Sequence, residues 1–324
     1  MGALMADAEF LDRVLTMEIG RCTEAAAVSA SKMIGRGDKN GADQAAVAAL
    51  RDALNRLEID GTVVIGEGER DEAPMLYIGE KVGTKKGPKV DIALDPLEGT
   101  DLTAKGMGNA LAVVAMATAG TMLHAPDTYM DKIAVGPGYP DGVVDLDASV
   151  EENIRELAKA KRVKPDDITL CVLDRDRHKH IIEGARRMGS RIILIPDGDV
   201  AGVFHTTDPA TGIDLYLGQG GAPEGVLAAA ALRCVGGQMQ GRLVFRNDDE
   251  KARAARTGIT DLNRKYGLMD LCGGDVFFAA TGVTNGTMLD GVKWEPSHVT
   301  THTVVMRSKT GTIRYIRART RRWI

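Results

Sequence analysis

Aromatic residues are scarce in this 324-residue chain, where Phe, Tyr and Trp together make up 4 %. That leaves little surface on which bases could stack, which argues against a single-strand nucleic-acid platform. Neither charge is in strong surplus. The formal net charge of −4 makes nucleic acid and anionic membranes unexpected partners. Long hydrophobic runs are missing too. The longest, Ala110 to Ala119, reaches about half of the ~20 residues a membrane helix needs. Acidic residues stand early at the N-terminus in place of an apolar export signal. Cysteine is sparse: Cys22, Cys171, Cys234 and Cys272 lie far apart. This excludes paired zinc-ligand spacing, leaves four reduced thiols in or near the core, and fits a cytoplasmic compartment.

What is present is the composition of an ordinary globular chain, 44 % hydrophobic and 27 % charged, long enough for about two domains. Apolar spacings of three and four predict a helix over Phe10–Met33 and a second over Ala42–Leu57, broken by the glycine-rich run Gly35–Asn40. Strands are predicted at Thr62–Ile65, Val90–Leu94, Leu111–Met116 and Tyr129–Val135, with a short strand or edge segment at Pro74–Gly79 and a hairpin turn at Gly120. A helix over Val150–Ala160 ends before Pro165. Beyond it strands and helices alternate: strands at Ile168–Leu173, Arg191–Ile195 and Ile213–Leu217, helices at Arg177–Met188 and Val226–Val235, and a loop at Gly218–Gly225. Late strands are predicted at Asp275–Thr281, His302–Met306 and Thr312–Ile316. The pattern divides the chain into 1–165 and 166–324. The basic tail, Arg314 to Arg322, reads as a solvated edge or a subunit contact.

The informative stretch is V-D-I-A-L-D-P-L-E-G-T, Val90 to Thr100. A strand runs into a tight turn that carries Asp95 and Glu98 at its tip. About thirty residues earlier a second strand ends in G-E-G-E-R-D, Gly66 to Asp71. Carboxylates clustered at two strand ends suit a hard cation such as Mg²⁺ or Mn²⁺, and such sites serve phosphoryl chemistry. Gly99 permits close backbone approach, and Thr100 offers a hydroxyl to phosphate. Asp43, by contrast, also fits as a first-turn acid favoured by the helix dipole. Glu224 fits equally well as a helix N-terminal acid, and Asp197 and Asp199 as turn residues bonding to nearby backbone.

These segments resemble the class II fructose-1,6-bisphosphatases, within the lithium-sensitive, metal-dependent sugar and inositol phosphatases. The likeness runs through G-R-G-D-K-N-G-A-D from Gly35, the block from Ile65 to Thr84, D-P-L-E-G-T from Asp95 and A-P-D-T-Y-M from Ala125. It continues through I-P-D-G-D-V from Ile195, G-G-A-P-E-G from Gly220 and A-T-G-V-T-N-G from Ala280. It implies the α-β-α-β-α five-layer sugar-phosphatase fold, of mixed α/β class. The first domain would bind metal and the second the sugar phosphate, in a homodimer or homotetramer. It implies Mn²⁺ or Mg²⁺ on Asp43, Glu67, Asp95, Glu98 and Glu224, and a catalytic set of Asp71, Glu67 and Thr100, with Asp71 assisting the attacking water. Substrate contacts are implied at Glu98, Gly99, Thr100, Tyr129, Arg175, Asp176, Arg177, Asp197, Gly198, Asp199 and Gly221. The implied reaction removes the 1-phosphate of fructose 1,6-bisphosphate, and sedoheptulose 1,7-bisphosphate is a second candidate substrate. Two departures stand out: Asp176 where proline is usual, and Asp101 after Thr100. An inositol- or nucleotide-type phosphatase on the same metal scaffold and a noncatalytic sugar-phosphate sensor are the rival readings. Arg175 and Arg177, suited to bidentate phosphate contacts, favour the sugar bisphosphate.

Overall fold

Alanine-rich sequence, the best helix-forming composition, builds the first helix, α1 (Gly2–Ser31). Asp38 starts the second: its carboxylate accepts the Gly41 N–H at 2.9 Å and caps α2 (Lys39–Leu54). The computed structural model describes residues 2–68 and 75–321, with side chains from residue 14 onward. The first unit continues through β1 (Asp60–Ile65), β2 (Lys81–Val82), β3 (Lys89–Glu98), α3 (Thr100–Lys105) and β4 (Leu111–Thr118). Residues 123–273 then form a second compact unit. It contains β5 (Tyr129–Val135), α4 (Val150–Lys161), β6 (Thr169–Leu173), α5 (Lys179–Arg187), β7 (Arg191–Ile195), α6 (Asp199–Phe204), β8 (Leu215–Gly221) and α7 (Ala222–Val235). It ends with β9 (Gln238–Val244), α8 (Asp248–Arg256), β10 (Lys265–Gly267) and α9 (Leu268–Leu271). The chain returns to the first unit with β11 (Val276–Gly282), β12 (Lys293–Trp294), β13 (His298–Arg307) and β14 (Thr312–Arg321).

The first unit is thus discontinuous, Met1–Met122 plus Gly274–Ile324, and a division at residue 165 does not coincide with it. Strand pairing is the reason. β11 inserts between β4 and β13, so the late strands complete a sheet begun by the early ones. The entry and exit of the second unit meet where the Leu123 N–H donates to the Leu271 carbonyl at 3.0 Å.

The first unit's sheet runs β12-β13-β11-β4-β3-β1-β2, with β14 on β13. β1 and β3 are parallel and the other pairs antiparallel. Leu50 and Leu54 of α2, with Ile19 and Ala26 of α1, pack on Ile92, Leu94, Ala112, Val114 and Ala279 of one sheet face. The second unit's sheet runs β10-β9-β5-β8-β6-β7. Alternation along β5 sends Ile133 and Val135 into a core with Ile154 and Leu157 of α4 and Ile181 of α5. Met130 and Lys132 face the other way, toward Gly225 of α7. Ser149 and Glu152 form a reciprocal capping box on α4.

Several elements differ from the sequence expectation. Gly218–Gly221 is the second half of β8, held as strand by the register Tyr129↔Gly221 to Lys132↔Gly218. Gly120 takes a left-handed conformation (φ 79°) but turns no hairpin, since β5 pairs in the other sheet; its N–H donates to Asp91 Oδ2 at 2.7 Å. Residues 75–79 form no strand, and Pro74 lies outside the described residues. The strand predicted at Thr312–Ile316 runs on to Arg321 as the edge strand β14, which takes in residues 314–321 of the basic tail. All four cysteines are buried and free, and burial pushes the Cys22 and Cys171 thiols up to about 12. Among the described residues no helix is long and apolar enough to cross a membrane.

One buried group sets a pH dependence. His205, 5 % exposed, is pushed down by burial to about 4. Between that value and the ordinary 6.5 the unfolded chain binds the proton and the folded chain does not, so stability falls as pH drops through this window. The shift corresponds to about 3 kcal/mol. The melting temperature should fall more between pH 7 and pH 4.5 for the native chain than for His205→Leu; parallel curves would contradict this.

Candidate active site

In an unbroken strand, Asp95 and Glu98 would point to opposite faces, because their spacing is odd. The structure removes this problem with a bulge. Asp95 pairs with Val113 and Glu98 with Leu111, three steps on β3 against two on β4. The extra residue resets the alternation, so both carboxylates leave the face opposite α1 and α2. Pro96, which has no N–H to give a ladder, sits within the bulge. The Leu97 N–H donates to Asp95 Oδ1 at 3.0 Å, and Leu97 itself anchors in the core. Asp95 is half-buried, and Glu98 is 4 % exposed. Gly99 follows in the left-handed region (φ 82°, ψ 52°), turning the strand end directly into α3 with Thr100 at its first position.

Asp43 lies in the second turn of α2, not the first, which weakens a helix-dipole role for it. It is half-buried, and burial raises its carboxyl above the ordinary range. α2 packs on β3 and α3, and the loop before it is tied to α3 by Gly35 N–H to Thr103 O and Gly37 N–H to Ala104 O, both 2.9 Å. Glu67 follows β1, the parallel neighbour of β3, and its N–H donates to Leu76 O at 3.1 Å. Asp71 lies outside the described residues. Among the described residues no three His, Cys, Asp or Glu side chains form a metal-sized cluster. Glu224 belongs to the second unit. Asp101 is exposed and within 3.6 Å of Lys105.

In the second unit, β8 ends in glycines because carboxylates occupy the space beside them. A Cβ on Gly220 would stand 1.8 Å from Asp199 Oδ2, and one on Gly221 1.8 Å from Glu224 Oε2. Glu224 lies in the first turn of α7. Gly198, left-handed at φ 86° and ψ 65°, turns the end of β7 into α6, with half-buried Asp197 before it and buried Asp199 after it. This repeats the device at Gly99. Tyr129 stands beside two guanidiniums: the Cζ atoms of Arg177 and Arg246 lie 5.0 and 4.7 Å from its ring centroid. Arg177 also donates to the Gln219 carbonyl from Nη2 at 2.7 Å and Nε at 3.3 Å. It borders a cavity of about 510 Å³ lined further by Asp131, Gln219 and Arg242. Arg175 is half-buried and donates to its neighbour's carbonyl, Asp174 O. Asp176 is exposed, its carboxylate paired with Lys179 at 2.9 Å.

Three residues here escaped the sequence reading. Lys132, 1 % exposed, pairs with Asp199 and donates to the Gly221 carbonyl at 2.7 Å, joining two candidate substrate-binding segments. A lysine alternating with Met130 and Ala134 on one strand face was the available signal. His178 lies between Leu173 O (Nδ1, 2.7 Å) and the Gln219 N–H (Nε2, 2.8 Å). Burial lowers its pKa, assisted by the charges of Arg177, His180 and Arg175 and opposed by the bond to Leu173. The neutral ring that donates to Leu173 and accepts from Gln219 fixes the Arg177 turn against β8. Arg246 carried no sequence signal, since the helix that follows it, α8, was not predicted.

A buried and a half-buried carboxylate on a strand bulge, followed by a hydroxyl at a helix start, suit a cation and a phosphoryl group. The guanidiniums of Arg175 and Arg177 suit a second anion. The model of the family described as bacterial fructose-1,6-bisphosphatase, glpX-encoded, matches residues 13–320. Over 320 residues the chain is 46 % identical to fructose-1,6-bisphosphatase 1 class 2 of Escherichia coli (strain K12), covering 94 % of this chain and 95 % of that protein. The class 2 enzyme of Shigella flexneri gives the same identity and coverage. The chain belongs to the class II fructose-1,6-bisphosphatase family.

Proposed function

We infer that the chain hydrolyses fructose 1,6-bisphosphate to fructose 6-phosphate and inorganic phosphate. The family match across residues 13–320 carries this reading. The finer assignments are proposals from the residues. Asp43, Glu67, Asp95, Glu98 and Glu224 are proposed to hold Mg²⁺ or Mn²⁺. All five offer carboxylate oxygen, the donor these hard cations take. Glu98, almost wholly buried, and Asp43, raised by burial, are acids whose charge a cation would compensate. When bound, the cations neutralise phosphate charge and lower the pKa of water that attacks phosphorus.

The remaining roles fall to the chain's own groups. Thr100 offers its hydroxyl to the phosphoryl oxygens, and Gly99 lets the backbone approach them. Asp71 orients the attacking water and accepts its proton as the bond from phosphorus to the C1 oxygen breaks, and the departing C1 oxygen takes up a proton from solvent water. Tyr129, Arg175 and Arg177 receive the distal phosphate. Asp176 contributes through its backbone, since its carboxylate is turned to Lys179. Asp197 and Asp199, with Gly198 and Gly221 giving backbone access, accept bonds from sugar hydroxyls. Because arginine side chains rather than a rigid backbone cradle take the distal phosphate, the one-carbon-longer sedoheptulose 1,7-bisphosphate is proposed as a second substrate. The α-β-α-β-α layer order is proposed from the family likeness, and the long edge strand β14 suits a homodimer or homotetramer.

Chelator-treated protein should release no phosphate from fructose 1,6-bisphosphate and should recover with added Mn²⁺ or Mg²⁺. Full activity without a divalent cation would defeat the metal assignment.

A further inference from the structure

The residue beside Tyr129 that nothing above assigns is Arg246. It follows β9, whose Val244 pairs with Tyr129 across the sheet, so the chain delivers it next to that ring. It is held there by an elaborate support. Glu250, 2 % exposed, accepts from Arg246 Nε at 2.6 Å and from the Arg246 backbone N–H at 2.7 Å. The Thr128 hydroxyl adds a third bond to Glu250 at 3.0 Å, and Asn247 caps the helix that carries Glu250, accepting its N–H at 2.9 Å. Burial works to raise the Glu250 carboxyl, but its bonds to Arg246 and Thr128 hold it below the ordinary range.

Burying a carboxylate is costly unless it is paired and hydrogen-bonded, and a neutral cap could have held this loop. The support keeps a guanidinium in one place while leaving its side chain 56 % exposed. Glu250 engages the Nε and Nη2 edge, so Nη1 and the outer hydrogen of Nη2 face away from that carboxylate. Arg177 lies against the same ring, itself anchored on the Gln219 carbonyl. Two cations fixed at one phenol repel each other, and a dianion between them would relieve the repulsion.

We propose that Arg246 is a specificity-determining residue that supplies, with Arg177, the second guanidinium for the phosphate remote from the reacting carbon. This rests on the reading that the second unit binds the distal phosphate at Tyr129 and Arg177. Glu250 and Thr128 are positioning residues that act through Arg246.

The test compares fructose 1,6-bisphosphate with fructose 1-phosphate, which lacks the distal group, in metal-loaded full-length enzyme. Arg246→Met is combined with Glu250→Gln so that no unpaired carboxylate stays buried. The pair should lose about 10- to 100-fold in kcat/KM on the bisphosphate, mainly through KM, with less than a threefold change on fructose 1-phosphate. The inhibition constant of fructose 6-phosphate should rise by a similar factor. Arg246→Lys, which keeps charge but loses the planar fork, should fall between the two. Unchanged kinetics, or equal losses on both substrates, would overturn the role of Arg246. Arg177→Ala, measured in parallel, separates the two ideas. A selective loss for Arg177→Ala alone rejects Arg246 and keeps the distal-phosphate reading, whereas no selective loss in either protein rejects both.

Discussion

Replacing Glu98 by Gln should lower turnover of fructose 1,6-bisphosphate by about 10²-fold or more, through the loss of preorganised charge at the reacting phosphate. The substitution keeps size and shape and removes one negative charge. The bulge that aims Glu98 is built from backbone pairing with β4 and from the Leu97 anchor, neither of which needs the carboxylate. Asp95→Asn should behave alike, with the Leu97 N–H still able to find an oxygen at residue 95. Both substitutions keep the size and shape of the side chain, so the melting temperature separates a loss of chemistry from a loss of fold. Turnover and melting should be measured on the same preparations. Native turnover in either variant would remove that residue from the proposed ligand set.

The largest stability effect is expected at Lys132. Lys132→Met should cost about 3–5 kcal/mol, the usual result of taking one partner from a buried ion pair. Asp199, buried at the start of α6, loses its cation, and the Gly221 carbonyl loses a donor. The two losses occur where the sugar and the end of β8 are proposed to meet, so activity should fall with stability. The double variant Lys132→Met with Asp199→Leu distinguishes the causes. Replacing both members of a buried pair by apolar groups is often close to neutral, so the double variant should regain most of the stability in urea unfolding. It should not regain activity, since the sugar hydroxyls then lack their acceptor. A double variant as active as the native chain would show that Asp199 serves only the fold.

The strand that delivers Asp95 and Glu98 was legible because an apolar alternating run ending in acids and glycine marks a strand end. Its parity was not legible: nothing but Pro96 hinted that an extra residue would bring the two acids to one face. Tyr129–Val135 and Arg191–Ile195 were readable to the residue, since short β-rich runs bounded by turn residues define their own limits. Gly218–Gly221 misled because glycine propensity says loop, while neighbours far along the chain fix it as strand. Lys132 and the Arg246–Glu250 pair were hidden for a related reason. A charge in sequence reads as surface until its partner is found, and Asp199 lies 67 residues from Lys132. The unit boundaries were hidden most deeply, because they depend on β11 pairing with β4 across the whole second unit.

That pairing has a consequence for synthesis. β4, whose residues Leu111–Ala117 all end up buried, waits for its neighbour β11 until residues 123–273 have been made. At a translation rate of about 5–20 residues per second the wait lasts roughly 8–30 s. Throughout it the nascent chain carries a ready-made apolar edge of the kind that recruits other strands. The second unit is contiguous and can finish first, although it begins later. A ribosome that stalls near residue 200 therefore holds a chain with one open sheet and one half-built. A ribosome that stalls just past Gly273 holds a completed insert on an unfinished host, and the host is the part that needs a chaperone.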